Sequence, residues 1–563
     1  MPFEFHPFLP FLVTALLACV TKGRLRSIIM LLAPVVGGLH LLGVETGTIV
    51  EYQIMDLQLM PYRVDALSLI FGYIFHIGAF IAVLYSLHLK DTLQHVAGLL
   101  YAGSAVGAVF AGDLFTLFIF WEILGLSSAF LVWASRDESS VAAGIRYLVF
   151  QVLSGVLLMA GALWLWLDTG SLLFAEIGLG TAGSWLIFFA FGIKCGFPFL
   201  HNWITDGYPA STATGTVFLC CFTTKVAVYA MARGFPGTEI LIYIGAFMAC
   251  YPIFFAVIEN DLRRVLAYSM INQLGFMVCG IGVGTALALN GAVGHAFNDV
   301  LFKGLLFMSM GAVLYVTGTT KASELGGLYK KMPITATLCI VGAITISAFP
   351  LVSAFISKSM VMAALIEEGH SVIWMVMLFA SAGVLEHAGI KIPYFAFFSH
   401  DQNIPAREAP VNMLAAMSIA AVLCVAIGVF PSMLYNILPY DAPYSPYDMT
   451  HVLTQLQLLA FAILAVVFLH RSGRYPAEVP SVNLDAEWVY RTLFPRMYRA
   501  LRRILILIGN FFGGGLRYCS TGLLSGLNKT HGLQGALGRT WPIGSMVLWV
   551  AVLLSVYLIL DFN

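Results

Sequence analysis

The sequence predicts an all-α polytopic membrane protein of about sixteen spans, and three observations predict it. The 563 residues are 60% hydrophobic and only 10% charged, with a mean hydropathy of +0.89, far more apolar sequence than a water-soluble core needs. The apolar runs are continuous, whereas a transmembrane β-barrel would alternate. The basic residues fall mainly into alternate gaps between the runs, the signature of a fixed topology. The nine cysteines sit mostly within apolar runs, with no CxxC and no Cys/His cluster, so they read as small buried hydrophobes. No Walker A loop, no strand-linked GxGxxG and no HExxH is found, and neither a cofactor, a metal nor a nucleic-acid partner is expected.

In chain order the spans lie near 3–20, 26–44, 65–87, 95–111, 113–134, 143–168, 184–206, 211–232, 239–258, 264–284, 287–316, 333–365, 371–398, 411–432, 451–470 and 541–560. The first reads as a retained span, not a cleaved signal. Thr46 to Arg63 reads as a short extended hairpin. In or beside the gaps after odd-numbered spans, leaving aside the tail beyond Arg474, stand fourteen basic residues, from Lys22, Arg24 and Arg26 to Arg471 and Arg474; gaps after even-numbered spans hold Arg63 and Arg233. That asymmetry places the N-terminus outside, the odd-numbered loops in the cytoplasm and Asn563 outside.

Two spans carry internal breaks. FGIKCGFPFLHNWITDGYP breaks near Gly196–Pro198, and ISAFPLVSAFISKSM near Phe349–Pro350. Paired interrupted helices five spans apart suggest two inverted five-helix units, although no residue-level repeat is visible. The expected organisation is 1–93 for the first three spans, 94–235 and 236–400 for the two units, 401–475 for the next two spans, and 476–563 for an interfacial segment and the last span.

The intramembrane charges are the functional signal. Lys194, Lys225, Lys303, Lys358 and, nearer an end, Lys391 lie inside spans, as does Glu122 in FWEILG. His295, Asp299 and Lys303 recur every four residues and share one helix face, about 6 Å apart along the axis. Each has a plain structural alternative. A lysine near a helix end usually snorkels, and for Lys391 that is as strong a reading as function. A lone histidine such as His76 is a helix contact. The central set is different: each ionised group in hydrocarbon costs roughly 2.5–3.5 kcal/mol, and six together on the order of 15 kcal/mol or more. Sodium or calcium sites need clustered oxygens, which are scarce here, whereas lysines with a carboxylate and a histidine pass protons. A lysine that meets Glu122 holds its proton, and one that parts from it releases it. Glu122, Lys194, Lys225, His295, Asp299, Lys303 and Lys358 are therefore the candidate pathway, with Lys391, His201 and Asp206 as secondary candidates.

From about Asp65 to Phe398 these motifs resemble the antiporter-like proton-channel subunits shared by respiratory complex I, membrane-bound hydrogenases and Mrp-type cation/proton antiporters. FWEILG resembles the family's fifth-span glutamate motif, FGIKCGFPFLHNWITDGYPAS its broken seventh span, TTKVAVYAMAR its eighth-span lysine motif, RRVLAYSMINQLGFM and HAFNDVLFKGLLF its next pair, and AFPLVSAFISKSM its broken twelfth span. The sequence departs from the pattern at Asp299, where the family carries a second histidine; an acid there can bind the proton or pair with Lys303. LDAEWVYRTLF and TWPIGSMVLWVAVLL resemble the D-type chain of Mrp antiporters and its bacterial relatives. The resemblance implies proton entry from the cytoplasm near the eighth span, Lys194 and Lys303 as middle stations, and exit near Lys358. It also implies a bacterial inner-membrane location and partner membrane subunits that supply the energy, with protons and Na+ or another monovalent cation moved by the complex.

In the tail, Arg491, Arg496, Arg499, Arg502 and Arg503 mark a basic amphipathic helix at the cytoplasmic interface, interrupted at Pro495 and ended by the glycines at 513–515. Anchoring to anionic lipid is the simplest role for it, and a strut on a partner subunit is the other. Three functions follow from the whole sequence. The first is a proton-translocating subunit of a multi-subunit Na+/H+ antiporter. The second is a pumping subunit of a complex I-like NADH:quinone oxidoreductase or a hydrogenase, with no catalytic centre of its own. The third is a membrane partner of an inorganic-carbon uptake system.

Overall fold

The computed structural model describes residues 5–55, 57–475, 478–480, 483–532, 535 and 542–561, and of 511–516 the backbone only. Thirteen of its helices are long and apolar enough to cross a membrane, and three shorter apolar helices, Leu9–Val20, Ala182–Cys195 and Pro333–Ile346, accompany them. The chain divides into two units, Met1–Asp485 and Ala486–Asn563.

The first unit opens with α1 (Leu9–Val20) and α2 (Gly23–Leu41). The expected hairpin follows: β1 (Ile49–Ile54) pairs antiparallel with β2 (Leu57–Arg63), the one departure from helix among the described elements. Next come α3 (Ala66–Ser86), α4 (Thr92–Phe110), α5 (Leu114–Trp133), α6 (Glu138–Thr169), α7 (Ala182–Cys195) and α8 (Asn202–Ala210). Then follow α9 (Gly215–Cys221), α10 (Thr223–Gly234), α11 (Ile240–Ile258), α12 (Leu262–Val283) and α13 (Ala286–Thr317). The unit ends with α14 (Pro333–Ile346), α15 (Ser353–Glu367), α16 (Ser371–Val384), the short α17 (Lys391–Pro393), α18 (Val411–Val429), the short α19 (Ser432–Tyr435) and α20 (Met449–Arg471).

Aspartates start the helices. The carboxylates of Asp65, Asp113, Asp137 and Asp261 accept from backbone N–H groups of the following turn at 2.7–2.8 Å, satisfying donors that a helix start leaves free. α13 is the axial element: His295 to Lys303 are buried on every face, and it packs against α9, α12, α14, α15 and α18.

Both expected breaks are present, and each has a local cause. α7 ends at Gly196 in the left-handed region (φ +76°), and the chain turns through Phe199 (φ +65°) before α8. The Trp203 indole N–H donates to the Ile193 carbonyl at 2.9 Å, so the break leaves that group satisfied. Between α14 and α15, Ala348 (φ +57°) and Leu351 (φ +74°) bracket Pro350, and the Asn298 amide donates to the Ser353 carbonyl at 2.7 Å. A third break, not anticipated, separates α9 from α10 at Phe222. There the Tyr208 hydroxyl donates to the Leu219 carbonyl at 2.8 Å and Lys225 Nζ to the Cys220 carbonyl at 3.0 Å. Two π-helical turns, Leu385–Ile390 and Tyr394–Phe398, flank Lys391.

The second unit contains a π-helical turn, Val489–Leu493, then α21 (Phe494–His531) and α22 (Ile543–Asp561). Two expectations are corrected here. Pro495 opens no gap in the helix: the π-helical turn runs directly into α21, and Pro495 stands in the first turn after that change of helix type. Nor do the glycines at 513–515 end it: α21 runs 38 residues through them. Three helical glycines cost about 1 kcal/mol each, less than the eight unpaired backbone groups that two new helix ends would expose. Glu487 and Arg491 pair at 3.1 Å one turn apart. Arg539 and Asn563, which the sequence places before and after the last span, lie outside the described residues.

Candidate proton pathway

All five intramembrane lysines are buried, and their hydrogen bonding differs. An ammonium has three donors, so the number of acceptors around it says how much bonding capacity remains. Lys391 is saturated: its Nζ donates to the carbonyls of Val257 (2.7 Å), Glu259 (2.8 Å) and Ala256 (3.3 Å) and pairs with Glu478 at 2.9 Å. It ties the π-helical stretch to the end of α11, and it does not snorkel. Lys194 donates to one carbonyl, Trp121, at 2.7 Å, with its Nζ 4.4 Å from the Trp121 ring. Lys303 reaches one carbonyl, Leu266, at 3.4 Å. Lys358 has no hydrogen-bond partner among the described residues, and its Nζ stands 4.6 Å from the Phe276 ring.

Glu122 projects from α5 toward α6, into space left by Gly155. Its Oε1 has no hydrogen-bond partner among the described residues. It lies within electrostatic reach of Lys194 but beyond the 4.0 Å of an ion pair. The two halves of the expected switch thus stand near each other and apart. Trp121 and Ser154 hold them there: the indole N–H donates to Ser154 Oγ at 2.9 Å, and that hydroxyl donates to the Ala190 carbonyl at 2.7 Å, joining α5, α6 and α7.

Of the two readings of Asp299, binding the proton or pairing with Lys303, the second is not the pairing present. Asp299 pairs with Lys225 at 2.6 Å, both side chains fully buried, and not with Lys303. Lys225 stands in the first turn of α10, just after the Phe222 break. Lys303 and Lys358 remain within electrostatic reach of Asp299. His295 is held at both ring nitrogens, by Ser357 Oγ and Gln273 Oε1, each at 3.0 Å, and so bridges α15 and α12. The sequence reading did not single out Gln273, Asn298, Ser357 or His387. The last is fully buried, between Lys303 and Lys391 in electrostatic terms. An intramembrane histidine one helical turn before a lysine was the available signal for it. Among the described residues no ion pair links Glu122 or Lys194 to the Lys225–Asp299 pair, so the set falls into two groups, Glu122 with Lys194 and the cluster around Asp299.

The other secondary candidates stand elsewhere. His201 Nε2 lies 3.2 Å from Asp485, which also accepts from the Tyr268 hydroxyl at 2.8 Å and from the Asn202 amide. Asp206 pairs with Arg146 at 2.6 Å and, at 3.9 Å, with Arg264, which reaches Glu259. Burial raises the Glu259 carboxyl, with Arg264 opposing the shift. Burial likewise raises Glu478 against the charge of Lys391. His76 bonds the Gly72 carbonyl of its own helix at 2.7 Å, a helix contact as expected.

A bundle of broken helices that keeps under-bonded lysines and a glutamate in its interior is the architecture of an antiporter-type membrane subunit. Comparison with known proteins agrees. Residues 111–384, which hold every candidate from Glu122 to Lys358, match the family described as NADH:quinone oxidoreductase/Mrp antiporter, transmembrane. That segment is where the chain is similar to this family. It is 30% identical over 377 residues to hydrogenase-4 component B of Escherichia coli, covering 60% of this chain and 56% of that one. To the D-type chain of the Na(+)/H(+) antiporter of Bacillus subtilis it is 27% identical over 318 residues, covering 53% of this chain and 64% of the relative. The matched regions thus span less than two thirds of either relative. The fold is similar to a chain of the Mrp complex from Dietzia sp. DQ12-45-1b, with a TM-score of 0.68 at 19% identity, over 82% of this chain and 98% of that one.

Proposed function

We propose that the chain is the proton-translocating subunit of a multi-subunit Na+/H+ antiporter in a bacterial inner membrane. Protons pass along Glu122, Lys194, Lys225, Asp299, Lys303 and His295 toward Lys358, with water between them. The observation that carries this reading is the unused donor capacity of Lys194, Lys303 and Lys358 beside the saturated Lys391. A lysine kept for structure has its donors filled, whereas one that exchanges a proton needs room for water. Lys391 and His201 with Asp485 are struts in this reading, as is Asp206.

Adding the three shorter apolar helices to the thirteen long ones gives sixteen spans. Two inverted five-helix units, 94–235 and 236–400, then place the broken helices in corresponding positions. The flanking parts are 1–93, 401–475 and 476–563. The N-terminus is outside and the odd-numbered loops are cytoplasmic, which sets the basic α21 against anionic lipid or a partner subunit. A pumping subunit of a complex I-like oxidoreductase or hydrogenase is the second reading, supported by the family match and by the hydrogenase-4 relative.

The test is proton-coupled transport in inverted vesicles holding the assembled complex. Lys194→Ala and Glu122→Ala should each abolish it with assembly intact, and normal transport in both would refute the pathway. Mass spectrometry of the complex decides between the readings: small membrane subunits support the antiporter, iron–sulfur or quinone-site subunits the oxidoreductase.

A further inference from the structure

A cavity of about 470 Å³ lies between α15, α16 and α20, within the range of about 300–1,000 Å³ that holds small organic ligands. Its mouth is at helix ends, beside the exposed Ile366, Glu367 and Thr450. Its closed end is lined by Lys358 and Ser381, whose Nζ and Oγ lie buried just beneath the lining without a hydrogen-bond partner among the described residues. Both residues are 3% exposed. Between mouth and base the walls are mostly apolar, with Phe355, Met362, Ala363, Trp374 and Leu378. Nine residues of α15 separate Lys358 from Glu367, a depth of about 14 Å.

We propose that this cavity binds a lipophilic carboxylate: an apolar chain along the walls, with its anionic end paired to Lys358 and accepting from Ser381. A buried ammonium and a buried hydroxyl without acceptors each cost free energy, and one carboxylate satisfies both. A neutral chain of the same length fills the walls and leaves the base unsatisfied. The pairing does not depend on proton transport, because it needs only the cavity and its charge. The carboxylate comes either from free acyl chains in the bilayer or from a dissolved lipophilic acid, and both present the same chemistry.

The test uses the full chain in lipid nanodiscs with a diazirine-bearing dodecanoate, photolysed and mapped by mass spectrometry. Saturable labelling within 355–381 and 450–455 is expected, displaced by dodecanoate but not by dodecanol. Displacement by dodecanoate added from water, but not by lipid-borne oleate, identifies a dissolved acid as the source; the converse identifies the bilayer. K358M should weaken labelling about tenfold or more, the scale of one charge-assisted hydrogen bond, and K358R should retain it. A363W, which fills the cavity without touching the ammonium, should abolish it and serves if K358M does not fold. Equal displacement by dodecanol, or labelling unchanged in K358M and A363W, would overturn the proposal, as would no saturable labelling at these segments.

Discussion

Gly155→Ala is the sharpest perturbation of the Glu122 site. A Cβ built on Gly155 would stand 1.5 Å from Glu122 Oε1 and 2.5 Å from its Cδ. Ordinary contact begins near 3.4 Å, so the carboxylate must retreat by about 2 Å. The helices cannot part to make room, because Trp121, Ser154 and the Ala190 carbonyl pin α5, α6 and α7 together. The atoms displaced are the far end of a flexible side chain, so the cost sits at the low end of overpacking, about 1 kcal/mol. The assay is a double-mutant cycle on thermal unfolding of the purified protein, with Gly155→Ala, Glu122→Ala and both. Gly155→Ala alone should lower stability, and Glu122→Ala should remove that penalty, because the methyl then meets no carboxylate. The coupling energy should be about 1 kcal/mol. Additivity within about 0.5 kcal/mol would refute the placement of Glu122 against Gly155.

Three further outcomes follow. Lys225→Met or Asp299→Asn should each destabilise by about 3–5 kcal/mol, while Lys225→Met with Asp299→Leu recovers stability and not transport; thermal unfolding and vesicle assays on the same variants read both. Lys391→Met should lower stability and assembly yield, and the transport that remains, per assembled complex, should be near normal, since that lysine holds α11 to Glu478. Burial alone would raise Asp65, but the hydrogen bond and charge of Arg233, with the Ser68 N–H, hold it below the ordinary 3.8. A depressed acid adds stability that is complete above its unfolded value and lost as pH falls through its folded value. Unfolding temperature should therefore fall on acidification below about pH 4, and Asp65→Asn should flatten that limb.

What was legible in the sequence is what depends on residue type along one chain. Gly196–Pro198 and Phe349–Pro350 announced their breaks because proline and glycine act locally. The four-residue spacing of His295, Asp299 and Lys303 announced their common face. The Phe222 break has no glycine or proline to mark it, and Lys225 and Asp299 stand on different helices, so that partner could not be read from spacing alone. Snorkelling and function were equal readings for Lys391 because its three carbonyl acceptors come from the end of α11 and the residue after it, more than a hundred residues away in sequence. The continuity of α21 through 513–515 was missed because glycine propensity was weighed without the cost of two exposed helix ends. Gly155 gave no signal, since a small residue matters only through what stands opposite it.

The most direct test of the pathway is a density map of the assembled complex sharp enough to show ordered water. Water should bond to the free donors of Lys194, Lys303 and Lys358 and join Glu122 and Lys194 to the cluster around Asp299, while none contacts Lys391. A dry interior, with each of those amines held by protein carbonyls alone, would contradict proton passage through these residues.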